Sequence, residues 1–196
     1  MKNKIRIALG DLRHQTRGRH SSQVPLGISF IASYVLAYNG SGEVEIRLYD
    51  DPCQLLDDIR IWRPQIIGLS NYCWNSELSR LVFKYAKNID NKILTVAGGP
   101  NFPIKNKECR DYLAERNEID LYVYLEGEVV FSNIVREFMD GKNAWDLKSS
   151  PINGVMSIQP QSEKLVYGSP VPRLKELDKI PSPYLSGIMD RWLNGS

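Results

Sequence analysis

The sequence predicts an α/β fold in which a parallel sheet carries helices on both of its faces. Apolar runs of strand length alternate with amphipathic segments of helix length over residues 1–140. The segments between them are short. Because right-handed crossovers join successive parallel strands, the helices are expected to cover both faces of the sheet.

Five apolar runs are predicted as strands. KIRIALGD predicts a buried strand, whereas EVEIRLYD alternates apolar and polar residues as a half-buried strand does. The predicted strands are 4–11, 43–50, 65–72, 92–99 and 119–128.

Five further segments are predicted as helices. Pro25 suits the first turn of a helix, and Gly40 suits the position where that helix ends. Asp51 followed by Pro52 is a favourable helix entry. The predicted helices are 25–40, 51–62, 75–89, 104–117 and 129–142. One face of the third is predicted to carry Leu78, Leu81, Val82, Tyr85, Ala86 and Ile89.

These units predict one Rossmann-like, flavodoxin-like domain over residues 1–145, with a five-stranded parallel sheet. Residues 146–196 differ in character. Two short strands, 152–159 and 163–168, flank a polar turn, and a proline-rich stretch follows. Proline removes backbone donors and fixes φ, so this stretch is expected to lie on a surface or to link to another domain. We therefore expect a C-terminal hairpin and linker.

Length and composition exclude several classes of protein. A chain of 196 residues with 42% apolar content supports one full core and a short appendage. The 25 basic and 23 acidic residues nearly cancel, which argues against nucleic acid as the main partner. Apolar runs are too short for a membrane span, and the first residues turn polar too early for a secretory signal, so a cytoplasmic protein is expected. Cys53, Cys73 and Cys109 have no metal-site spacing and are expected to be reduced and mostly structural.

Four loops are predicted to meet at one edge of the sheet. In open parallel sheets, ligands bind outside the carboxyl ends of the strands. The loops at this edge are 10–27, 70–76, 98–103 and 126–128. The first is long for a connection of this kind, which is typical of functional loops.

Two of these loops carry the candidate ligand contacts. Gly98 and Gly99 allow close approach to the backbone, and Pro100 stiffens the turn. The loop 70–76 offers hydrogen-bonding groups and flat apolar surfaces suited to a large amphipathic ligand. Its candidates are Ser70, Asn71, Tyr72, Trp74 and Asn75.

Each of these features also has a purely structural interpretation. The Gly-Gly-Pro sequence is compatible with an ordinary tight turn, and Trp74 with a cap over the core. Glu126 and Glu128 suit the start of a helix. The segment RHQTRGRH (13–20) is either a solvated loop or an anion site, and its histidines lack a partner spacing for metal or nucleophile chemistry. Neither GxGxxG nor GxxxxGK[ST] occurs, which weakens dinucleotide and nucleoside-triphosphate interpretations.

An ordered set of segments resembles the amino-terminal cobalamin-binding domain of cobalamin-dependent radical S-adenosylmethionine (SAM) enzymes. The resemblance covers nearly the whole chain, and the order and spacing make it more specific than any one piece. The segments are PLGISFIASYV (25–35), PQIIGLSNYCWN (64–75), VAGGP (96–100), YLEGE (124–128), INGV (152–155) and DKIPSPYLSG (178–187).

The resemblance implies a cofactor and a set of contacts. In the family, a Rossmann-like domain holds cobalamin base-off, with the dimethylbenzimidazole nucleotide tail away from cobalt and tucked into the sheet edge. Ser70 takes the position of the tail pocket's hydroxyl. The other implied tail-side positions are Gly98, Gly99, Pro100, Gly127 and Glu128, and the implied corrin-side positions are Asn71, Tyr72, Trp74 and Asn75. Pro25 and Gly27 complete the cofactor-binding set.

Two departures refine what the resemblance implies. Methionine synthase and the mutases carry DxHxxG after the first strand, with the histidine on cobalt. Here His14 follows Asp11 by three residues, so the motif does not match and His-off binding is expected. The radical enzymes also continue into a barrel whose CxxxCxxC holds a 4Fe-4S cluster, and that spacing does not occur in this sequence. We expect an amino-terminal fragment whose SAM and cluster sites lie in a missing C-terminal domain.

Three functions follow as hypotheses. The first is a cobalamin-binding module that partners a radical SAM barrel of the same full-length chain, a methyltransferase or cyclase acting on a small-molecule or peptide substrate. The second is a degenerate domain without cofactor that serves as a structural or substrate-recognition module. The third is a small flavodoxin-like enzyme acting alone on a nucleotide, although no nucleophile–base pair can be identified. No residue of the fragment is predicted to be catalytic.

Overall fold

A computed structural model describes residues 4–14 and 24–193. Within these residues one sheet contains seven strands in the order β2-β1-β3-β4-β5-β6-β7. The first five are parallel, and β6 and β7 are antiparallel. The strands are β1 (Ile5–Gly10), β2 (Val44–Tyr49), β3 (Ile66–Ser70), β4 (Leu94–Gly98), β5 (Leu121–Val123), β6 (Val155–Ile158) and β7 (Leu165–Tyr167).

The α/β class and the mostly parallel sheet are confirmed, and the count of five strands is corrected. The C-terminal hairpin does not stand apart from the sheet, because β6 pairs with β5 and extends it. Tyr122 pairs with Met156, and Val123 with Val155. The hairpin thus covers the hydrogen-bonding edge that β5 would otherwise expose.

All five predicted helices form, and in the described part of the chain two short α-helices and one 3-10 turn, Leu177–Lys179, follow them. Asp51 accepts a hydrogen bond from the Cys53 amide at 2.8 Å and so caps α2, as its position before Pro52 predicted. The helices are α1 (Leu26–Asn39), α2 (Pro52–Ile61), α3 (Ser76–Ile89), α4 (Asn106–Ala114), α5 (Gly127–Met139), α6 (Ala144–Ser149) and α7 (Asp190–Leu193). None of the helices in the described residues is long and apolar enough to cross a membrane.

Two apolar clusters lie on the two faces of the sheet. Side chains of α1 and α5 pack on one face, and side chains of α2, α3 and α4 pack on the other. Along β3, Ile66 joins the first cluster, whereas Ile67 and Leu69 join the second. This alternation follows from the two-residue period of a strand and fixes which face each side chain serves.

The predicted apolar face of α3 is wrong in part. Leu81 and Ile89 are 62% and 46% exposed, respectively. The side chains that the helix buries are Ser79, Val82, Phe83 and Ala86. Ser79 starts a buried stripe with the i, i+3, i+4, i+7 spacing, and its hydroxyl donates to the Ser70 carbonyl at 3.1 Å. A satisfied polar residue therefore occupies a position that hydrophobic pattern alone assigns to the surface.

β5 is much shorter than the predicted strand 119–128. Glu118 and Asp120 at its start are buried, and each is paired with a cation. Arg80 Nε lies 2.6 Å from Glu118 Oε1, and Lys87 contacts Asp120. At the other end of β5 the chain leaves the sheet after Val123, and α5 begins at Gly127. The extra length of the predicted strand therefore belongs to the loops on either side of β5 and to the first turn of α5.

The end of the described chain returns to the outer edge of β2. Arg191 donates to the Leu48 carbonyl at 3.2 Å and to Asp50 Oδ1 at 2.9 Å. Trp192 Nε1 donates to Asp50 Oδ2 at 3.2 Å, and Met189 is fully buried. The C-terminal segment is thereby fastened to the far side of the sheet from β6 and β7.

Candidate functional site

A cavity of about 290 Å³ opens at the carboxyl edge of the parallel strands. It lies on the face that α1 and α5 cover. Its walls come from the ends of β1, β3, β4 and β5, from the first turns of α1 and α5, and from the loop that follows β3. This is the edge at which the sequence predicted a ligand site.

Small residues on β3 and β4 create the space. Gly68 and Ser70 on β3, and Gly98 on β4, occupy positions that face α1 and α5, and Ser70 pairs in register with Gly98. A Cβ atom on Gly68 would lie 2.7 Å from Leu9 Cδ2 and 2.9 Å from Phe131 Cε2. The space above Gly68 is therefore taken up by Leu9 and Phe131, whereas the small residues at Ser70 and Gly98, paired across the strand ends, leave the cavity open.

A hydrogen-bonded group forms the polar end of the cavity. Ser70 Oγ donates to Asp11 Oδ1 at 2.6 Å, and Asn75 Nδ2 donates to Ser70 Oγ at 2.9 Å and to Asp11 Oδ1 at 3.2 Å. Asn75 is fully buried, and its Oδ1 accepts from the Tyr72 amide at 2.8 Å. Asn75 thus holds Ser70 in place from behind and lies outside the lining of the cavity.

The two glycines after β4 serve different purposes. Gly98 lines the cavity, and a Cβ there would meet only ordinary contacts, the nearest being 3.4 Å from the Val123 carbonyl oxygen. Gly99 has φ of +133°, and a Cβ there would lie 2.7 Å from the Asn71 carbonyl oxygen. Gly98 thus borders open space, whereas Gly99 lets two loops touch, and contact of either glycine with a ligand stays a prediction. Pro100 is exposed and outside the lining.

The loop after β3 splits its predicted contacts between two directions. Tyr72 lines the cavity, and Trp74 stacks on it with ring centroids 4.5 Å apart and planes within 6°. Trp74 is 57% exposed, so its interpretation as a cap over the core is wrong. Asn71 is buried, and its amide hydrogen-bonds to Asn101, Tyr112 and Tyr122.

His14 lies beside this loop. Its Nε2 is 2.9 Å from the Trp74 carbonyl oxygen. Because a carbonyl only accepts, Nε2 carries the proton in this contact. The rest of the predicted segment 13–20 beyond His14, including His20, lies outside the described residues.

The first turns of α1 and α5 complete the walls. Gly27 and Gly127 line the cavity, and a Cβ on Gly127 would lie 2.9 Å from Ile31 Cδ1. Pro25 precedes α1 and is buried outside the lining. Leu125, just before α5, has φ of +66° and is 71% exposed at the cavity mouth. A leucine in the left-handed region is uncommon, and such residues concentrate at ligand sites.

The acidic residues before and within α5 are only partly explained by helix capping. The Glu126 side chain makes no capping hydrogen bond and instead pairs with Arg173 Nε at 3.2 Å. Glu128 lies in the first turn, where a carboxylate favours the helix dipole. Both line the cavity together with Asp11, so three carboxylate side chains belong to its walls.

The structure therefore brings together part of the predicted set. The predicted residues that line the cavity are Gly27, Ser70, Tyr72, Gly98, Gly99, Gly127 and Glu128. Those outside its lining are Pro25, Asn71, Trp74, Asn75 and Pro100. The role of each in ligand binding stays a prediction. Lining residues that the sequence analysis did not name as ligand contacts include Asp11, Ile31, Gly68, Leu125, Glu126 and Phe131.

Two of the missed residues carried a usable signal. Asp11 follows the first strand directly, at the edge where the other candidate loops meet. Gly68 interrupts an apolar strand, which often marks close approach of a ligand or another backbone. Within the described residues no group of three or more His, Cys, Asp or Glu side chains is placed to hold a metal ion, and the three cysteines are free thiols. Cys53 and Cys73 are exposed, whereas Cys109 is buried.

Curated relatives of this chain include two bacterial methyltransferases. The 2-(S-pantetheinyl)-carbapenam-3-carboxylate methyltransferase of Streptantibioticus cattleyicolor is 32% identical over 147 residues, which are 72% of this chain and 20% of the relative. The cobalamin-dependent radical SAM methyltransferase TokK of Streptomyces tokunonensis is 32% identical over 130 residues, 66% of this chain and 18% of the relative. This chain thus spans about a fifth of the length of these relatives.

A solved structure supplies a matching fold. The cobalamin-dependent S-adenosylmethionine radical enzyme OxsB, with aqua-cobalamin and S-adenosylmethionine bound, superposes with a TM-score of 0.65 at 15% identity. The match covers 96% of this chain and 25% of that chain. No protein-family model matches the sequence. The relatives and the shared fold confirm, at partial coverage, the resemblance to cobalamin-dependent radical SAM enzymes found in the sequence.

Proposed function

We propose that this chain is the cobalamin-binding module of a radical SAM methyltransferase. The observation that carries the proposal is the cavity at the carboxyl edge of the sheet, left open by Ser70 and Gly98 on adjacent strands. A relative that is 32% identical is a cobalamin-dependent radical SAM methyltransferase, and the segments that carry the resemblance include those that build this cavity.

The cavity fits one part of cobalamin in size and shape. A volume of about 290 Å³ suits a flat heterocycle with its sugar and is too small for a corrin ring. The apolar walls, Ile31, Phe131 and Val123 among them, suit the faces of an aromatic base. We therefore propose that the nucleotide tail enters this cavity and that the corrin lies outside it, across the strand ends.

The polar end of the cavity would orient the tail. Ser70 is the hydroxyl nearest the centre of the edge, and Asp11 and Asn75 hold it in one position. Gly98 and Gly99 would contact the tail through their backbone, and Gly127 with Glu128 would border it from the start of α5. Gly27 at the start of α1 lines the cavity and would make a similar backbone contact, whereas Pro25 would act only by fixing the entry to α1.

We propose the base-off, His-off mode because the sequence after β1 lacks the DxHxxG spacing that places a histidine on cobalt. His14 Nε2 donates to the Trp74 carbonyl beside the loop that would border the corrin. The exposed Trp74 and the Tyr72 stacked on it offer a flat apolar surface at that border. Bound cobalamin would supply methyl-group transfer, while this chain would hold the cofactor and exclude water from it.

The remaining parts of the reaction would lie elsewhere in a longer protein. We propose that residues 1–145 hold the cofactor and that 146–196 lead toward a radical SAM barrel of the same chain. That barrel would bind S-adenosylmethionine and a 4Fe-4S cluster and would act on a small-molecule or peptide substrate. Methyl transfer is favoured over cyclisation because two relatives are methyltransferases.

The test is uptake of the cofactor by the purified chain. The protein is mixed with hydroxocobalamin, freed of unbound cofactor by gel filtration and examined by visible spectroscopy. Retained cobalamin with a base-off spectrum is the expected result. A folded, colourless protein would instead favour the module without cofactor.

A pair of glycine variants makes the test specific to the cavity. In Gly98→Val the new Cβ atom has room beside Val123, but the branched side chain takes up space in the cavity. We therefore expect loss of base-off cobalamin uptake. Gly42→Val is the matched control, because Gly42 lies in a turn and a Cβ atom added there would have no neighbour within 4 Å. Equal uptake by both variants would show that the tail does not enter this cavity.

A further inference from the structure

The turn after β4 is fastened from the side of the sheet opposite the cavity. Tyr122 Oη donates to the Gly99 carbonyl at 2.8 Å. Asn71 Nδ2 donates to Tyr122 Oη at 2.8 Å and to the Asn101 carbonyl at 2.7 Å. The Asn101 amide donates back to the Asn71 carbonyl at 3.1 Å. The backbone that forms one cavity wall is thus hydrogen-bonded at Gly99 and Asn101 by groups that do not line the cavity.

Tyr122 is well placed to act as a fixed anchor. It lies on β5, is fully buried in the cluster on the α2 and α3 face, and stacks on Phe102 with ring centroids 3.8 Å apart. Burial raises the pKa of the Tyr122 hydroxyl, and this effect outweighs the lowering by the hydrogen bond from Asn71. The hydroxyl therefore keeps its proton and remains a donor to the Gly99 carbonyl.

We infer that Tyr122 and Asn71 are positioning residues for the ligand of the cavity. They hold the Gly98–Gly99 backbone at the wall that the nucleotide tail of cobalamin contacts, without touching the ligand themselves. This inference rests on the proposed function. It also explains why Asn71, which the sequence placed at the corrin, points into an aromatic cluster instead.

The chain offers a matched control in Tyr112. Its hydroxyl lies 3.0 Å from the same Asn71 Nδ2, and its ring packs edge-on against Phe102. The hydrogen bond to the Gly99 carbonyl, however, comes from Tyr122. Tyr122→Phe and Tyr112→Phe therefore each remove one hydroxyl from the same cluster, and the first of them also frees the turn.

The experiment titrates both variants and the wild type with hydroxocobalamin and with cobinamide, a corrin that lacks the nucleotide tail. The freed turn of Tyr122→Phe must be ordered again on binding, at a cost bounded by the net free energy of one hydrogen bond, so we expect cobalamin binding to weaken by up to about tenfold. Cobinamide binding by this variant, and binding of both ligands by Tyr112→Phe, should match the wild type. Equal cobalamin affinities of the two variants, or a parallel loss of cobinamide affinity, would overturn the inference.

Amide hydrogen exchange without cofactor gives a second readout. We expect the Asn101 amide to exchange faster in Tyr122→Phe than in Tyr112→Phe, because a freed Gly99 carbonyl loosens the turn. If the wild type does not bind hydroxocobalamin, the proposed function fails, and the exchange rates still decide whether Tyr122 positions the turn. Equal exchange rates in the two variants would overturn the inference independently of cobalamin.

Discussion

The two faces of the sheet are built from the same strands but leave very different amounts of space. On the face toward α2 and α3, β3 contributes Ile67 and Leu69, and the packing is continuous. On the face toward α1 and α5, the same strand contributes Gly68 and Ser70, and a cavity results. The difference teaches that small side chains at alternate positions of a strand can open a binding space on one face while the parallel strand pairing stays intact.

The comparison also has an energetic side. Close packing on the face toward α2 and α3, the filled face, supplies dispersion and burial energy. The face toward α1 and α5, the hollow face, lacks part of this energy near the carboxyl edge, where the cavity lies. Ser70 and Gly98 therefore cost stability relative to larger apolar residues. A ligand that fills the cavity would return part of that free energy only when it is bound.

The largest expected change in stability comes from removing a buried side chain on the filled face. Phe83→Ala removes a side chain that is 1% exposed on α3 and should lower the free energy of unfolding by about 3–5 kcal/mol. Urea denaturation followed by circular dichroism measures this. Leu81→Ala on the same helix, where the side chain is 62% exposed, is the control and should change stability by less than about 0.5 kcal/mol. Similar losses for both variants would contradict the assignment of the buried stripe.

The second largest expected change in stability comes from filling the cavity on the hollow face with cobalamin. Hydroxocobalamin at a concentration of 100 times its Kd should raise the free energy of unfolding by about 2.7 kcal/mol. Thermal denaturation with and without the cofactor measures the shift. Gly98→Val should show no shift, because its added side chain occupies the same space. A shift of equal size in this variant would place cobalamin outside the cavity.

The smallest expected change in stability comes from filling part of the cavity with a larger side chain. Glycine within a strand is unfavourable, so Gly98→Val should raise the stability of the cofactor-free chain by about 0.5–1 kcal/mol. The nearest contacts of the new Cβ, at 3.4 and 3.5 Å from Val123, are ordinary. Urea denaturation without cofactor is the measurement. A clear loss of stability would show that the cavity is part of a tightly packed wall rather than spare volume.

Patterns that repeat along the chain predicted most of the fold. The two-residue and 3.6-residue periods placed β1 to β4 and α1 to α5 to within a few residues, because local burial dictates them. Errors arose where buried polar groups find distant partners. Asp120 at the start of β5 is satisfied by Lys87 and Thr95, which no local pattern reveals. The capping box of Asn143 and Asp146 that starts α6 is local and could have been recognised.

The candidate site was predictable in place and only partly in detail. Topology alone brings the loops after parallel strands to one edge, so Ser70 and Gly98 were correctly placed together there. Which asparagine faces the cavity depends on hydrogen bonds between distant segments. Asn71 turns to Tyr122, and Asn75 turns to Asp11, so neither side chain is free for a ligand. The left-handed conformation of Leu125 has no signature in its residue type.

The return of the C-terminal segment to β2 has a consequence for self-association. An edge strand with open carbonyls can template another chain, and β2 is the outermost strand on its side of the sheet. The Arg191 guanidinium occupies the Leu48 carbonyl, which places a bulky charged side chain at that edge. A chain shortened before Met189 would leave the edge open, and we expect it to form intermolecular sheet and to precipitate at concentrations at which the longer chain stays dispersed.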